Sequence, residues 1–164
     1  MNGTTGGARK AEMLLLLGAV IMVVAPALKF FTLEGPGGSE SFTGYKAEEG
    51  SPYILAAVVC GLAGLLLFAV KGGTGRKVLG AVAILGALFG GYAAFVDMTD
   101  LDSVSEATAG QVEASASLGV YIAMLGAIVA LIGAIMALAT PTTDTTTTVG
   151  GPTGPPPPSA PPPA

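Results

Sequence analysis

Asp97, Asp100, Asp102 and Glu106 are the densest group of potential ligands in the chain. Hard carboxylate oxygens at such short spacing suit a divalent cation, but the calcium-loop pattern is incomplete and its central glycine is absent. The four therefore read as a solvated acidic contact face with no metal. Cys60 is the single cysteine, and the chain has no histidine. A catalytic thiol needs an activating base, and no histidine is present to be one, so Cys60 reads as a small packing residue inside an apolar segment. Lys71-Gly72-Gly73-Thr74-Gly75-Arg76-Lys77 has the glycines and bases of a phosphate-binding loop. It lacks the preceding strand, the spacing and the hydroxyl residue after the lysine, and that reading is rejected. No catalytic residue, cofactor or metal site is expected, and the chain reads as non-enzymatic.

The elements that carry these residues follow from composition. Of 164 residues, 51% are hydrophobic and 11% charged, with no tryptophan, whereas a soluble domain is about a quarter charged. A mean hydropathy of +0.71 belongs to a membrane protein. The net charge of −4 argues against a nucleic-acid partner. A helix needs about 20 apolar residues to cross the hydrocarbon core, and four segments supply them, at about 13–31, 53–70, 78–96 and 118–139. The expected fold is an all-α membrane protein: four transmembrane helices packed as a bundle over 13–140, after an N-terminal cytoplasmic segment, 1–12. Residues 141–164 are Thr, Gly and Pro with almost no apolar side chain. Such a segment cannot offset its chain entropy by burial, and it reads as a disordered, polyproline-like tail and solvated spacer.

Basic residues are retained on the cytoplasmic side. Arg9 and Lys10 precede the first span, and Lys71, Arg76 and Lys77 fill the turn between the second and third. The other two connections carry Glu34, Glu40, Glu48, Glu49, Asp97, Asp100, Asp102, Glu106 and Glu113 against Lys29 and Lys46. Both termini are thus expected inside, in a multi-pass cell-membrane protein. A competing reading makes the first span a signal peptide cleaved after Ala27, in the Ala25-Pro26-Ala27 triplet; against it, apolar residues continue through Leu28, Phe30, Phe31 and Leu33. In the first outer loop, Gly35-Pro36-Gly37-Gly38 predicts irregular chain and 41–46 a short strand. In the second, 103–109 predicts a helical extension of the third span.

Between these charged ends the spans are patterned by small residues. In the fourth, Gly119, Gly126 and Gly133 recur every seven positions, as do Ala123, Ala130 and Ala137. In the third, Gly80, Ala83, Ala87, Gly90 and Ala94 alternate three and four apart, and the second has Ala57, Gly61 and Gly64. Such stripes let helix backbones approach in lipid, where no hydrophobic effect draws helices together. Ionisable side chains at mid-membrane depth would mark an ion or solute pathway, and none is present. Lys29 can snorkel to the interface, and Tyr53, Tyr92 and Tyr121 suit an aromatic belt at the outer boundary.

The GPGG-bearing outer loop, the acidic second loop and the fourth span reading LGVYIAMLGAIVALIG from Leu118 resemble the small four-span membrane proteins of actinobacteria, among them the tryptophan-biosynthesis-associated membrane proteins. The resemblance covers 10–140 as layout. It implies a bacterial inner membrane and carries over no catalytic residue. The expected function is an accessory or scaffold subunit, in contact with lipid and with other membrane subunits or itself; the alternative is a small transporter or channel component formed by oligomerisation. The topology is open to cysteine labelling in a Cys60→Ala background. Cysteines at Ser39 and Ser103 should react with an impermeant thiol reagent in intact cells, and one at Thr74 should not. Labelling at Thr74 alone would reverse the topology.

Overall fold

In hydrocarbon every backbone N–H and C=O must find a partner within the protein, which leaves helix as the form for an isolated apolar span. The computed structural model, which describes residues 4–46, 50–70, 73–108 and 111–140, has four helices: α1 (Thr4–Val24), α2 (Gly50–Ala69), α3 (Thr74–Ala107) and α4 (Leu118–Ala139). Four stretches are long and apolar enough to cross a membrane: Arg9–Ala27, which runs from α1 through the turn after it, and Gly50–Ala69, Thr74–Leu101 and Leu118–Ala139 within the other three helices. The tail at 141–164, read above as disordered, lies outside the described residues, as do Glu48, Glu49 and Lys71.

The helices form a four-cornered bundle in which α1 and α3 each pack against both α2 and α4. Its interior is made of small side chains. Ala11, Ala19, Ala56, Ala57, Ala63, Ala83, Ala87, Ala127, Ala130, Ala134 and Ala137 are buried, with Leu15, Met22, Cys60 and Leu67 among them. The bulky residues point outward, as Leu55, Leu85, Leu125, Ile128 and Ile132 do. The closest approach is between α1 and α4, which run antiparallel. A Cβ on Gly18 would fall 2.6 Å from both the Ala130 nitrogen and the Gly126 oxygen, so backbone lies against backbone. On α4, a Cβ on Gly126 would meet the Gly18 oxygen at 3.1 Å, and one on Gly133 the Leu15 nitrogen at 2.7 Å. Cleavage after Ala27 would strip α1 from this contact.

The first span differs from its expected bounds at both ends. α1 already begins at Thr4, taking up part of the segment read as a separate cytoplasmic stretch, and it stops at Val24 instead of running to 31. Pro26, which has no N–H to continue the ladder, sits in a 3-10 turn at Ala25–Ala27. Leu28 then leads into strand β1 (Lys29–Gly35), so the apolar residues that lengthened the span belong to a sheet. β1 turns at Pro36 and Gly37 into β2 (Gly38–Thr43); Gly38, at φ +121°, occupies a region that favours glycine. β3 (Glu113–Ala116) pairs on the other side of β1, giving an antiparallel sheet in the order β2-β1-β3. The sheet is an addition to the all-α expectation, outside the helical membrane part.

The sheet is tied to the bundle at several points. The Ser117 N–H donates to the Phe30 oxygen at 2.9 Å, and the Ser117 and Thr32 hydroxyls lie 3.0 Å apart. Tyr45 Oη donates to the Val23 carbonyl at 2.7 Å, bringing the chain back to the end of α1. α3 runs beyond its partners: 34 residues at about 1.5 Å rise give roughly 50 Å, against about 30 Å of hydrocarbon. Its last turns stand outside the apolar layer, with β3 packed against the helix.

Because Gly126 lies against backbone on α1, Gly126→Leu should destabilise the bundle by about 1–3 kcal/mol or more. Ile128→Leu, on the half-exposed outer face, is the volume-matched control. Thermal unfolding in detergent, followed by dye reaction of the buried Cys60, separates the two. Equal midpoints would mean that the close approach does not hold the helices together.

Candidate functional site

Polar chemistry collects at the two ends of the bundle. At the sheet end, Tyr53 comes from the first turn of α2 and Asp97 from the C-terminal part of α3. Tyr53 Oη donates to Asp97 Oδ2 at 2.5 Å. Its ring meets Phe30 edge to face, with centroids 5.3 Å apart at 70°. Tyr53 was expected in a boundary belt with Tyr92 and Tyr121. It is buried instead, while those two are 65% and 54% exposed. The difference lies in β1, which delivers Phe30 as an aromatic partner that the linear sequence does not place there.

Asp97 and Asp100, three residues apart on α3, share one side of the helix. With Phe30, Phe31, Leu33, Leu101 and Val120 they line a cleft of about 150 Å³ under the sheet. Phe31 is held by stacking on Phe42, centroids 5.3 Å apart. Glu106 is exposed two to three turns further along, and Asp102 lies on the same helix, its side chain outside the described ones. The expected four-residue face is thus divided: two carboxylates look into the cleft and Glu106 does not line it. Among the described residues no group of three acidic, cysteine or histidine side chains could hold a metal ion.

The sheet adds acids that were not grouped with these four. Glu34 and Glu113 stand directly opposite each other across β1 and β3, and both are exposed. Like charges facing across a ladder are unfavourable in the isolated chain, and an approaching basic surface would relieve them.

At the other end, Arg76 of α3 reaches diagonally across the bundle to Glu12 of α1. Nη1 donates to Oε1 at 3.1 Å, with side chains 8% and 5% exposed. Arg76 Nε and Nη2 are buried with no hydrogen-bond partner among the described residues. A buried donor without an acceptor costs about 1–3 kcal/mol, more when charged, so this corner carries an unmet demand for an anion. Sequence reasoning missed the pair because the basic residues there are accounted for by the retention of positive charge. The available signal was Glu12 itself, the one acid in a basic segment, at the threshold of an apolar run.

The residues expected to pack helices, Gly80, Ala83, Ala87, Gly90, Gly119, Ala123, Gly126, Ala130 and Gly133, are all buried. A Cβ on Gly80 would meet Leu138 at 2.8 Å, one on Gly90 the Met22 sulfur at 2.9 Å, and one on Gly119 the Lys29 oxygen at 2.8 Å. Cys60, on α2, points its sulfur at the Ala83 oxygen, 3.6 Å away, between helices.

A family model described as tryptophan-associated transmembrane protein matches residues 12–148, a range that takes in both ends of the bundle. No curated protein matches the chain.

Arg76→Met should destabilise the protein by about 3–5 kcal/mol in phospholipid-free detergent, because Glu12 is left charged and buried. Glu12→Met together with Arg76→Met removes both charges and should recover most of that loss. A double variant no more stable than the single would show that the pair is not coupled.

Proposed function

Because this chain belongs to the family of tryptophan-associated transmembrane proteins and crosses the membrane several times, we propose that it serves as a non-catalytic accessory or scaffold subunit of a membrane assembly. The observation that carries this reading is the closed, apolar interior. The bundle is filled by alanine and glycine at backbone contact distance, and among the described residues the buried charged side chains are Glu12 and Arg76, at one end. A conducting path needs polar groups through the middle of the membrane. The chain has no histidine and its thiol is buried, which speaks against a cysteine nucleophile activated by histidine.

Two surfaces suit such a role. One is the outward-facing helix sides, where Leu, Ile and Val meet lipid or another subunit. The other is the acidic sheet end, with Asp97, Asp100, Glu106, Glu34 and Glu113, whose natural counterpart is a basic surface. The orientation that places this end outside and both termini in the cytoplasm of a bacterial inner membrane rests on the distribution of Lys and Arg. The tail beyond Thr140 acts as a spacer.

Purification of the full chain from native membranes in mild detergent should recover a defined assembly. Asp97→Asn, Asp100→Asn and Asp102→Asn together should weaken it, raised salt should have the same effect, and truncation after Thr140 should leave it intact. A strictly monomeric protein that moves ions or a solute in liposomes would overturn this reading in favour of the transporter.

A further inference from the structure

We propose that the corner of the bundle formed by Arg76, Glu12 and the start of α3 is a phosphate site, filled by a phospholipid headgroup or by inorganic phosphate. A guanidinium offers two parallel N–H groups along its Nε/Nη2 edge, spaced to match two oxygens of an oxyanion. Arg76 gives Nη1 to Glu12 and leaves that bidentate edge without an acceptor, although the residue is only 7% exposed. Among the described residues no other carboxylate is at hand, since the remaining acids lie between the end of α1 and the start of α2 or between the C-terminal part of α3 and β3.

The surroundings select an anion. Glu12 balances one positive charge, while Arg9, Lys10 and Lys77 are exposed on the same two helices at the same end. The first turn of α3 has no acidic residue, so the partial positive charge of the helix N-terminus is not neutralised there. Position along the helices fits phosphate among anions. Arg76 is the third residue of the apolar stretch Thr74–Leu101, and Glu12 the fourth of Arg9–Ala27. Both therefore lie within the first turn or so of their apolar stretches, at an end of the bundle that suits the headgroup layer. The edge is shut off from water in the chain alone, so an oxyanion reaches it only when the Arg76 side chain or its neighbours move.

The test uses the full chain in phospholipid-free neutral detergent, with the thermal midpoint read from dye reaction of buried Cys60. Phosphatidylglycerol is compared with diacylglycerol of the same chains, and inorganic phosphate with chloride at equal ionic strength. At about a hundredfold excess over the dissociation constant, the phosphate-bearing additive should raise the midpoint by about 5 °C or more. A rise with phosphatidylglycerol alone assigns the site to lipid, and one with inorganic phosphate assigns it to the free ion. Arg76→Lys keeps a charge for Glu12 but has no bidentate edge, and should lose the rise. Should the lysine variant fail to fold, the Glu12→Met and Arg76→Met double variant serves in its place and should also show none. Equal midpoints for phosphatidylglycerol and diacylglycerol with no effect of inorganic phosphate would overturn the proposal. So would a rise that survives in the Arg76 variants, because the exposed bases would then suffice.

Discussion

Everything in this bundle depends on how near the backbones of α1 and α4 come to each other. Helices in lipid gain nothing by hiding apolar side chains from a solvent that is itself apolar, so they are held by dispersion contacts and whatever polar bonds they can make across the gap. Gly18 against Gly126 and Ala130 brings peptide groups of the two helices into direct contact. That one approach constrains the rest. Small residues line the same interior on the other helices, and bulky ones such as Leu55, Leu85 and Ile132 face outward. The approach also brings the end of α1 beside the start of α4, and so puts β1 next to β3, though these strands are some eighty residues apart in the chain.

The two ends are built on different principles. The sheet end is bound by many modest interactions: ladder hydrogen bonds, a serine and a threonine hydroxyl, aromatic contacts and the tyrosine bond to Asp97. At the opposite end, among the described residues, a buried ion pair joins diagonal helices. A buried pair is weak evidence of net stability, since desolvating both charges offsets much of their attraction, but removing either partner is costly. Arg76 and Glu12 therefore fix how α1 and α3 face each other more surely than they strengthen the fold.

The membrane part was legible because its signal is long and one-dimensional: about twenty apolar residues, punctuated by charge. What the sequence hid are the features made by residues far apart. β1 was invisible because Phe30, Phe31 and Leu33 look like more membrane span, and only Pro26 hints that the helix must end first. β3 is four residues of Glu, Ala and Ser with weak strand preference, and exists because β1 offers it an edge. Of the acidic group, the clustering could be read directly but the cleft could not, since its walls come from β1 and α4. Tyr53 looked like a boundary residue until a buried partner was supplied by the sheet. The Glu12–Arg76 pair joins positions 64 residues apart, and nothing in local pattern links them.

The alanine interior has a consequence for the free energy of ordering. Fixing a leucine or methionine side chain in a packed core removes rotamer freedom, whereas alanine and glycine have none to lose. In this protein the side chains immobilised between helices are mostly those, while Leu85, Leu125, Ile128 and Ile132 face outward, where fluid acyl chains leave their rotamers free to interconvert. Packing here is cheap in side-chain entropy, so the modest attraction between close backbones has little disorder to overcome.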